Sequence, residues 1–316
     1  MELASRPEPT PDHAPARRFP QVYEAVLRSY RRLAPERQQA FRRLGLFPGD
    51  DMTVDVVSVL TDTPPDAALA HATALRDHHL LGEDAAGRFR FHPLVRAVAH
   101  ELARSRDPER DTRAAGARLL RHYLRNVEAA DRGMFPHRRR RLAAAPADLL
   151  EAPTHEAARD WFDAEWRNVL NAAHHAAEHE WQTQCAQLMH LLAEYLDFRQ
   201  LFADAAAGHE RAVRACRDIG DRYGLATATL DLAFARYRTA YYAEAAYQAE
   251  EAQRIYEALG RRAEAARCLE LIGLTCWERD KRREAFVVWD EAAHAYQEVG
   301  DRKGLADVYR LQAMAR

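Results

Sequence analysis

Apolar residues recur every three to four positions through most of this chain, and in its C-terminal third the pattern itself repeats. Such spacing places the apolar side chains along one face of a helix. The repeat has a period of 40 residues, marked by IGDR at 219–222, LGRR at 259–262 and VGDR at 299–302. A fixed period of this length is typical of a solenoid of stacked helical hairpins.

Each repeat is predicted to be a pair of antiparallel helices. A glycine (Gly220, Gly260 or Gly300) follows a helical run, where a residue with positive φ ends a helix at low steric cost. Small residues separated by 12 and then 7 positions mark where two helices must approach closely. This spacing is similar to that of tetratricopeptide repeats, so about three and a half such repeats are expected in 182–316. The small residues are Ala193, Ala205 and Ala212; Ala233, Ala245 and Ala252; and Gly273, Ala285 and Ala292.

Residues 20–106 show a different order of elements. Several helices come first, then two short runs, Leu80–Glu83 and Arg88–Phe91, which flank Asp84 and Gly87 and predict a hairpin. A last helix follows, and this order is typical of a winged-helix domain. The helices are expected at Val22–Leu33, Glu36–Leu44 after Pro35, Val54–Leu60 with Thr53 as N-cap, Pro65 to about His79, and Leu94–Ala103.

Composition limits the classes of function to consider. With 46 basic and 48 acidic side chains the net charge is −2, so no general attraction to nucleic acid or anionic membrane is expected. The four cysteines, at positions 185, 216, 268 and 276, form no C-x-x-C pair and are expected to be buried thiols in a cytoplasmic protein. No long apolar run or hydrophobic signal core occurs, so no membrane association is expected.

Two further segments complete the predicted domain organisation. Residues 1–19 are rich in proline, alanine and charge, and are expected to be a disordered leader or linker. Residues 107–181 are expected to be a helical connector between the winged helix (20–106) and the repeats (182–316). The predicted fold class is therefore all-α with a minor β wing: a winged-helix domain followed by a tetratricopeptide-repeat α-solenoid.

The N-terminal half also resembles a known family. The resemblance rests on LRSYRRLAPERQQAFRRLGLFPG at 27–49 and LRDHHLLGEDAAGRFRFHPLVRAVAHELA at 75–103, with ADRGMFPHRRRRL at 130–142 and ARDWFDAEWRNVLNAA at 158–173. The first two segments are similar to the winged-helix module behind the nucleotide-binding domain of actinobacterial STAND regulators, including the SARP or AfsR-like type. The last two resemble the segments that follow in that family, and with the repeats the resemblance covers roughly residues 20–316. Such regulators carry a P-loop ATPase, whereas no G-x-x-x-x-G-K-[ST] occurs here. The chain is therefore expected to correspond to the C-terminal half of such a regulator.

The resemblance implies one candidate cofactor residue. His92, in RFHPLVR, stands where a histidine of nucleotide-binding relatives reaches the ADP phosphates. Pro93 replaces the family's usual aspartate, and the P-loop is missing, so ADP or ATP is expected only if a nucleotide-binding domain is joined in cis or in trans. The alternative is that His92 only caps the helix after the wing.

Aromatic and arginine side chains are dense along the first helices of the repeats. In a repeat solenoid these helices line the concave groove, and such side chains favour recognition of a partner. The alternative is that about half of them only pack. The candidate groove residues are Tyr195, Arg199, Arg236, Tyr237, Tyr241 and Trp277.

A basic run, Arg138, Arg139, Arg140 and Arg141, precedes the repeats. It is a candidate contact for phosphate or for an acidic partner. Three prolines nearby favour the alternative, a solvated linker.

The sequence gives little support for a metal site or a DNA-contact site. His175, Glu178 and His179 spell H-x-x-E-H, the inverted zinc-protease motif, but no convincing third ligand follows. The helix before the wing offers Arg76 but also Asp66 and Asp77, so direct contact with DNA is not expected.

The sequence thus predicts a non-enzymatic sensor region of a STAND-type transcriptional regulator, whose repeat groove binds a protein, peptide or small-molecule effector. One alternative is a standalone adaptor scaffold for protein–protein interaction. A more distant alternative is a metal-dependent enzyme that uses the motif at 175–179.

Overall fold

The structure is a computed structural model that describes residues 19–140 and 149–315. Over these ranges it contains fourteen helices and one two-stranded sheet. The described residues form two compact units, which divide between Tyr123 and Leu124. Apart from Phe19, the leader expected at 1–19 lies outside the described residues.

The first unit is built from short helices and a small antiparallel hairpin. A long helix, α6, begins in this unit and ends in the second. The elements are α1 (Pro20–Arg31), α2 (Pro35–Leu44), α3 (Val54–Thr61), α4 (Pro65–Asp77), β1 (Gly82–Glu83), β2 (Phe89–Arg90), α5 (Pro93–Arg106) and α6 (Glu109–Met134).

Local sequence explains where these elements begin and end. Proline occupies the first turn of α1, α2, α4 and α5, where its missing N–H costs nothing. The Thr53 side chain accepts a hydrogen bond from the Val56 N–H at 3.3 Å and so caps α3 as expected. In the hairpin turn, Asp84 accepts from the N–H groups of Ala86 and Arg88, and Gly87 has a φ of 74°.

The hairpin is shorter than expected. Gly82 pairs with Arg90 and Glu83 with Phe89, and Met52 adds a bridge to Phe89. Leu80 and Leu81 do not pair in the sheet, because their N–H groups donate to the Leu75 carbonyl and close the end of α4. Helices and wing enclose a core of large apolar side chains, and the winged helix is confirmed. The most buried of these include Phe41, Leu44, Leu60, Leu75 and Phe89.

The second unit is a regular stack of helices. From α8 onward a new helix begins every 20 residues, and α8 to α13 are each 17 residues long, so two helices make the period of 40. The tetratricopeptide-repeat solenoid is confirmed. The elements are α7 (His155–Glu178), α8 (Gln182–Phe198), α9 (Phe202–Asp218), α10 (Arg222–Arg238), α11 (Tyr242–Ala258), α12 (Arg262–Glu278), α13 (Arg282–Glu298) and α14 (Arg302–Met314).

Small residues allow these helices to pack closely. Gly273 of α12 faces α13, where a Cβ on this glycine would lie 2.2 Å from Nε1 of Trp289. The Trp289 indole N–H instead donates to the backbone carbonyl of Glu270 at 3.2 Å. Of the predicted alanines, all are buried except Ala193, which is half-buried.

Candidate functional site

A cavity of about 710 Å³ opens on one face of the repeat stack. It is called the inner cavity here. Its wall comes from equivalent positions of successive first helices: Tyr223, Ala263 and Lys303 are spaced by 40 residues, as are Arg267 and Asp307. First helices of tetratricopeptide hairpins line the concave side of a solenoid, so this is the inner face of the stack. Its other lining residues are Met134 to Arg140, Glu194, Glu264, Glu270, Tyr296 and Gly304.

One side of the inner cavity is formed by residues 135–140, which follow α6 and are called the strap here. Arg138 and Arg140 turn back onto Asp131 of α6, with Arg138 Nη1 at 2.8 Å from Oδ1 and Arg140 Nε at 2.6 Å from Oδ2. Burial raises the pKa of the Asp131 carboxyl, and the two guanidinium groups act in the opposite direction. Asp131 is fully buried, so these pairs are part of the interior of the unit.

Arg138 also holds the strap to the first repeat. Its guanidinium donates to the backbone carbonyls of His190 and Leu191 and lies 3.6 Å from a carboxylate oxygen of Glu194, all on α8. A guanidinium carries five N–H donors in a planar fork, which allows one side chain to serve several acceptors. The strap is therefore fixed to the first inner helix.

Arg139 reaches the other end of the stack. Two of its guanidinium nitrogens contact both carboxylate oxygens of Asp301. Asp301 also accepts the N–H of Gly304 at 2.9 Å and so caps α14. The side chain of Asp301 is 5% exposed, whereas that of Arg139 is 48% exposed. The strap thus spans the inner face from α8 to α14.

The floor of the cavity holds a buried carboxylate, Glu270, which is 2% exposed. The Tyr296 hydroxyl donates to it, and Arg267 forms an ion pair with it. Burial, and after it the negative charge of Glu270, raises the pKa of Tyr296, which keeps the phenol protonated. Glu264, Lys303 and Asp307 complete a wall with charges of both signs.

The candidate groove residues do not line the inner cavity. Tyr195 is fully buried: its ring stacks on Phe162 at 4.6 Å and its hydroxyl donates to Asp163 at 2.5 Å. Arg199 pairs with the same carboxylate. Both side chains pack α8 against α7, and their role in binding a partner stays a prediction.

The other four candidate groove residues lie at the C-terminal ends of α10 and α12 or in the turn between α10 and α11. Arg236 pairs with Glu210 and lies 5.6 Å from the ring centroid of Tyr241. Tyr237 donates to Glu278 at 3.3 Å, and Trp277 packs against Trp289 with ring centroids 6.3 Å apart. The cavity instead uses the N-terminal halves of these helices. The signal that could have found it is the 40-residue spacing of Tyr223, Ala263 and Lys303.

The three described arginines of the basic run, Arg138 to Arg140, form ion pairs within the chain. Arg138 and Arg140 have side-chain exposures of 7% and 16%, so the solvated-linker interpretation is wrong for these two residues. Arg139 pairs with Asp301, and Arg141 lies outside the described residues. Contact of this run with phosphate or an acidic partner stays a prediction.

His92 caps α5. Its Nδ1 accepts the Leu94 N–H at 3.3 Å, which is the capping role given as the alternative. The nucleotide-sensing role stays a prediction. Nearby, Arg76 forms ion pairs with Asp77 and Glu83, so the arginine considered for DNA contact is held on the protein surface by carboxylates.

The side chains of the H-x-x-E-H motif lie at the C-terminal end of α7, where they contact neighbouring residues. The rings of His175 and His179 lie 4.0 Å apart beside Trp181, and His179 Nδ1 lies 2.8 Å from the His175 carbonyl oxygen. Glu178 lies 3.4 Å from Arg211. Among the described residues no group of three or more His, Cys, Asp or Glu side chains is placed to hold a metal ion.

The cysteines lie in the repeats as expected. Cys185, Cys216 and Cys268 are buried, and Cys276 is half-buried. Burial raises the pKa of Cys185 and of Cys216 to about 12, so both are thiols at neutral pH. In the described part of the chain, no helix is long and apolar enough to cross a membrane.

Comparison with known proteins adds sequence relatives. The regulatory protein AfsR of Streptomyces griseus is 34% identical over 151 residues, which is 47% of this chain and 16% of that protein. The regulatory protein AfsR of Streptomyces coelicolor is 36% identical over 109 residues, 33% of this chain and 11% of that protein. The chain thus spans about a sixth or less of the length of the curated relatives it matches. No family model matches.

Two solved structures show weaker likenesses. A STAND protein with a tetratricopeptide repeat sensor from Pyrococcus horikoshii is 14% identical, with a TM-score of 0.34 over 97% of this chain and 51% of that one. Aspartyl phosphate phosphatase F from Bacillus subtilis is 12% identical, with a TM-score of 0.43 over 94% of this chain and 80% of that one.

Proposed function

We propose that the second unit, which contains the repeats, is the sensor region of a transcriptional regulator. The reason is that this chain is a homologue of the AfsR-type regulatory proteins of the SARP and STAND class. The observation that carries the proposal is the inner cavity. It is built from equivalent positions of α10, α12 and α14 and has a volume of about 710 Å³. Ligand cavities in proteins commonly measure roughly 300–1,000 Å³, so a small effector or a few side chains of a peptide would fit.

The charge of the wall favours a short peptide. Lys303 and Asp307 carry opposite charges one helical turn apart on α14, and Glu264 faces the same space. The hydroxyl of Tyr223 lies 3.5 Å from Glu264, and the Arg261 guanidinium lies 5.1 Å from the Tyr223 ring centroid. A peptide offers charges of both signs and backbone amides, so it can match such a wall where a purely apolar or purely anionic ligand cannot.

Binding would act through two states of the repeat stack. An effector shifts such an equilibrium only by its difference in affinity for the two arrangements. In this proposal the repeat unit performs no chemistry itself, and nucleotide enters only through a nucleotide-binding domain joined in cis or in trans. A cytoplasmic location and the absence of direct DNA contact are parts of the same proposal.

Selection from a random hexapeptide library on the immobilised full chain tests this function. We expect enriched peptides to bind the parent and to lose about tenfold or more in affinity with Asp307→Lys, because that change reverses a charge in the wall. Glu291→Lys is the matched control, since Glu291 is an exposed residue of α13 outside the cavity. A selection without enrichment, or peptides that bind the Asp307→Lys and Glu291→Lys variants equally well, would show that the inner cavity is not the site.

A further inference from the structure

The inner face of the repeat stack already holds part of the chain, the strap. All six residues of the strap line it, and the strap crosses the inner face from α8 to α14. A segment in this position takes up space and hydrogen-bonding groups that a peptide effector would otherwise use. The strap therefore shows which chemistry this face accepts, because it is bound there.

The attachments of the strap differ in burial. Arg138 and Arg140 pair with the fully buried Asp131, whereas Arg139 is nearly half exposed. Breaking a buried pair leaves an uncompensated charge in the interior, which is strongly unfavourable. In the Arg139–Asp301 pair only Asp301 is buried, and it keeps the Gly304 N–H as a donor, while the Arg139 guanidinium can be hydrated where it stands. This pair is therefore the attachment that opens at the lowest cost.

Asp301 would not lose its structural role on opening. Its Oδ1 still accepts the Gly304 N–H at 2.9 Å and caps α14 without Arg139. Both carboxylate oxygens are contacted by guanidinium nitrogens of Arg139, which itself lines the cavity, so Arg139 marks how a guanidinium group reaches this carboxylate. A planar guanidinium matches a carboxylate with two parallel hydrogen bonds, which an ammonium group cannot do.

We propose that the strap is a built-in ligand of the inner face of the stack, and that a peptide carrying an arginine side chain widens the inner cavity by taking Asp301 from Arg139. The inference rests on the proposed function and assigns its regulation: the effector competes with the chain's own arginine. In the absence of such a peptide the strap holds α8 and α14 at a set separation.

Hydrogen exchange of the strap amides, residues 137–140, in the full chain tests the first half. Asp301→Asn removes the charge that holds Arg139 but keeps an N-cap of equal quality, and it changes no residue of the strap. We expect these amides to exchange about tenfold faster in Asp301→Asn than in the parent, because local opening becomes easier. Asp307→Asn is the matched control, since Asp307 lines the same cavity but lies 3.4 Å from Arg310. Equal exchange in the parent and Asp301→Asn would overturn the proposal.

A peptide probe tests the second part of the proposal, that an arginine side chain displaces Arg139 from Asp301. Millimolar acetyl-Gly-Gly-Arg-Gly-Gly-amide is expected to speed exchange of the same amides in the parent, whereas the peptide with citrulline in place of arginine, which is neutral and nearly isosteric, is expected to have no effect. In Asp301→Asn neither peptide should change the exchange further. Equal effects of both peptides, or none from the arginine peptide, would refute displacement by arginine. The library selection is scored by binding alone, so failure here leaves the proposed function standing.

Discussion

The two compact units are stabilised in different ways. The first depends on a few large apolar side chains that meet once, such as Phe41, Leu60 and Phe89. The second depends on small residues and buried polar groups that recur along the stack, and it contains all four cysteines. A unique core concentrates its stability in single residues, whereas a repeated core distributes it over equivalent positions. The two units should therefore respond differently to pH and to substitution.

Alkaline pH should produce the largest difference. Burial raises the pKa of Cys185 and of Cys216 to about 12 from the ordinary 9.0. A raised folded-state pKa means that stability is fully present below pH 9.0 and is lost as the pH rises toward 12, because only the unfolded state then releases the proton. For two thiols, each with a pKa raised by about three units, the loss is on the order of 8 kcal/mol.

The measurement is circular dichroism together with thiol titration between neutral pH and pH 12. We expect the thiols to react only as the repeat helices unfold. The first unit contains no cysteine and serves as the internal control. Complete reaction of Cys185 and Cys216 at pH 9 with the helices intact would show that these thiols are not protected by burial.

Phe41→Ala should be the most damaging of the substitutions considered. Phe41 is fully buried on α2, with its ring centroid 5.6 Å from that of Tyr30 and 5.7 Å from that of Phe91. Truncating a buried phenylalanine costs about 3–5 kcal/mol. Denaturant unfolding should show an early transition of the first unit, with the repeat transition unchanged. Loss of both transitions together would mean that the units do not unfold separately.

Gly273→Ala tests the repeated core by a much smaller change. The added Cβ would lie 2.2 Å from Nε1 of Trp289 and 2.5 Å from its Cδ1, so the indole must move away from the Glu270 carbonyl. Overpacking of this kind costs about 1–3 kcal/mol. Tryptophan fluorescence and thermal unfolding of the second unit report it. The equivalent position of the preceding repeat already holds an alanine, Ala233. An unchanged melting temperature of the second unit in Gly273→Ala would show that Trp289 can move aside without loss of stability.

Local sequence patterns predict the helices and turns well, but they do not predict contacts between residues that are far apart in the sequence. Thr53, Gly220 and Gly260 act within one turn of the chain, and their roles could be predicted from neighbouring residues. The Arg139–Asp301 pair joins residues 162 positions apart, and no local pattern marks it. The burial of Arg138 depends in the same way on carbonyl groups of α8 that lie more than 50 residues further along the chain. The strap, and with it one side of the candidate site, was therefore not predictable from the sequence.

The turns of the solenoid show a subtler limit. The 40-residue repeat predicts Gly220, Gly260 and Gly300 as turn residues, but Gln200, Ala240 and Asp280 also have a positive φ in the turns inside each repeat. In all six turns the third residue after the helix, which follows the positive-φ residue, donates its N–H to the carbonyl five positions earlier, at 2.8–3.0 Å. The hydrogen bonds fix the backbone conformation at every turn, whatever the side chain.

The smallest expected change in stability comes from placing glycine in a turn inside a repeat and alanine in a turn between repeats. The test is whether each substitution stabilises or destabilises the second unit. Ala240 has a φ of 63°, a conformation that costs an alanine about 1–2 kcal/mol, partly offset by the lower entropy of its unfolded chain. Ala240→Gly should therefore stabilise the second unit by about 0.5 kcal/mol. Gly260 has a φ of 69°, and a Cβ added there meets no atom within 4 Å. Gly260→Ala should therefore destabilise the second unit by a similar free energy, through backbone strain alone. Chemical denaturation of both variants and of the double variant measures this, and the double variant should return to the parent midpoint. Destabilisation by Ala240→Gly would mean that the turns inside the repeats depend on side-chain contacts that the turns between them lack.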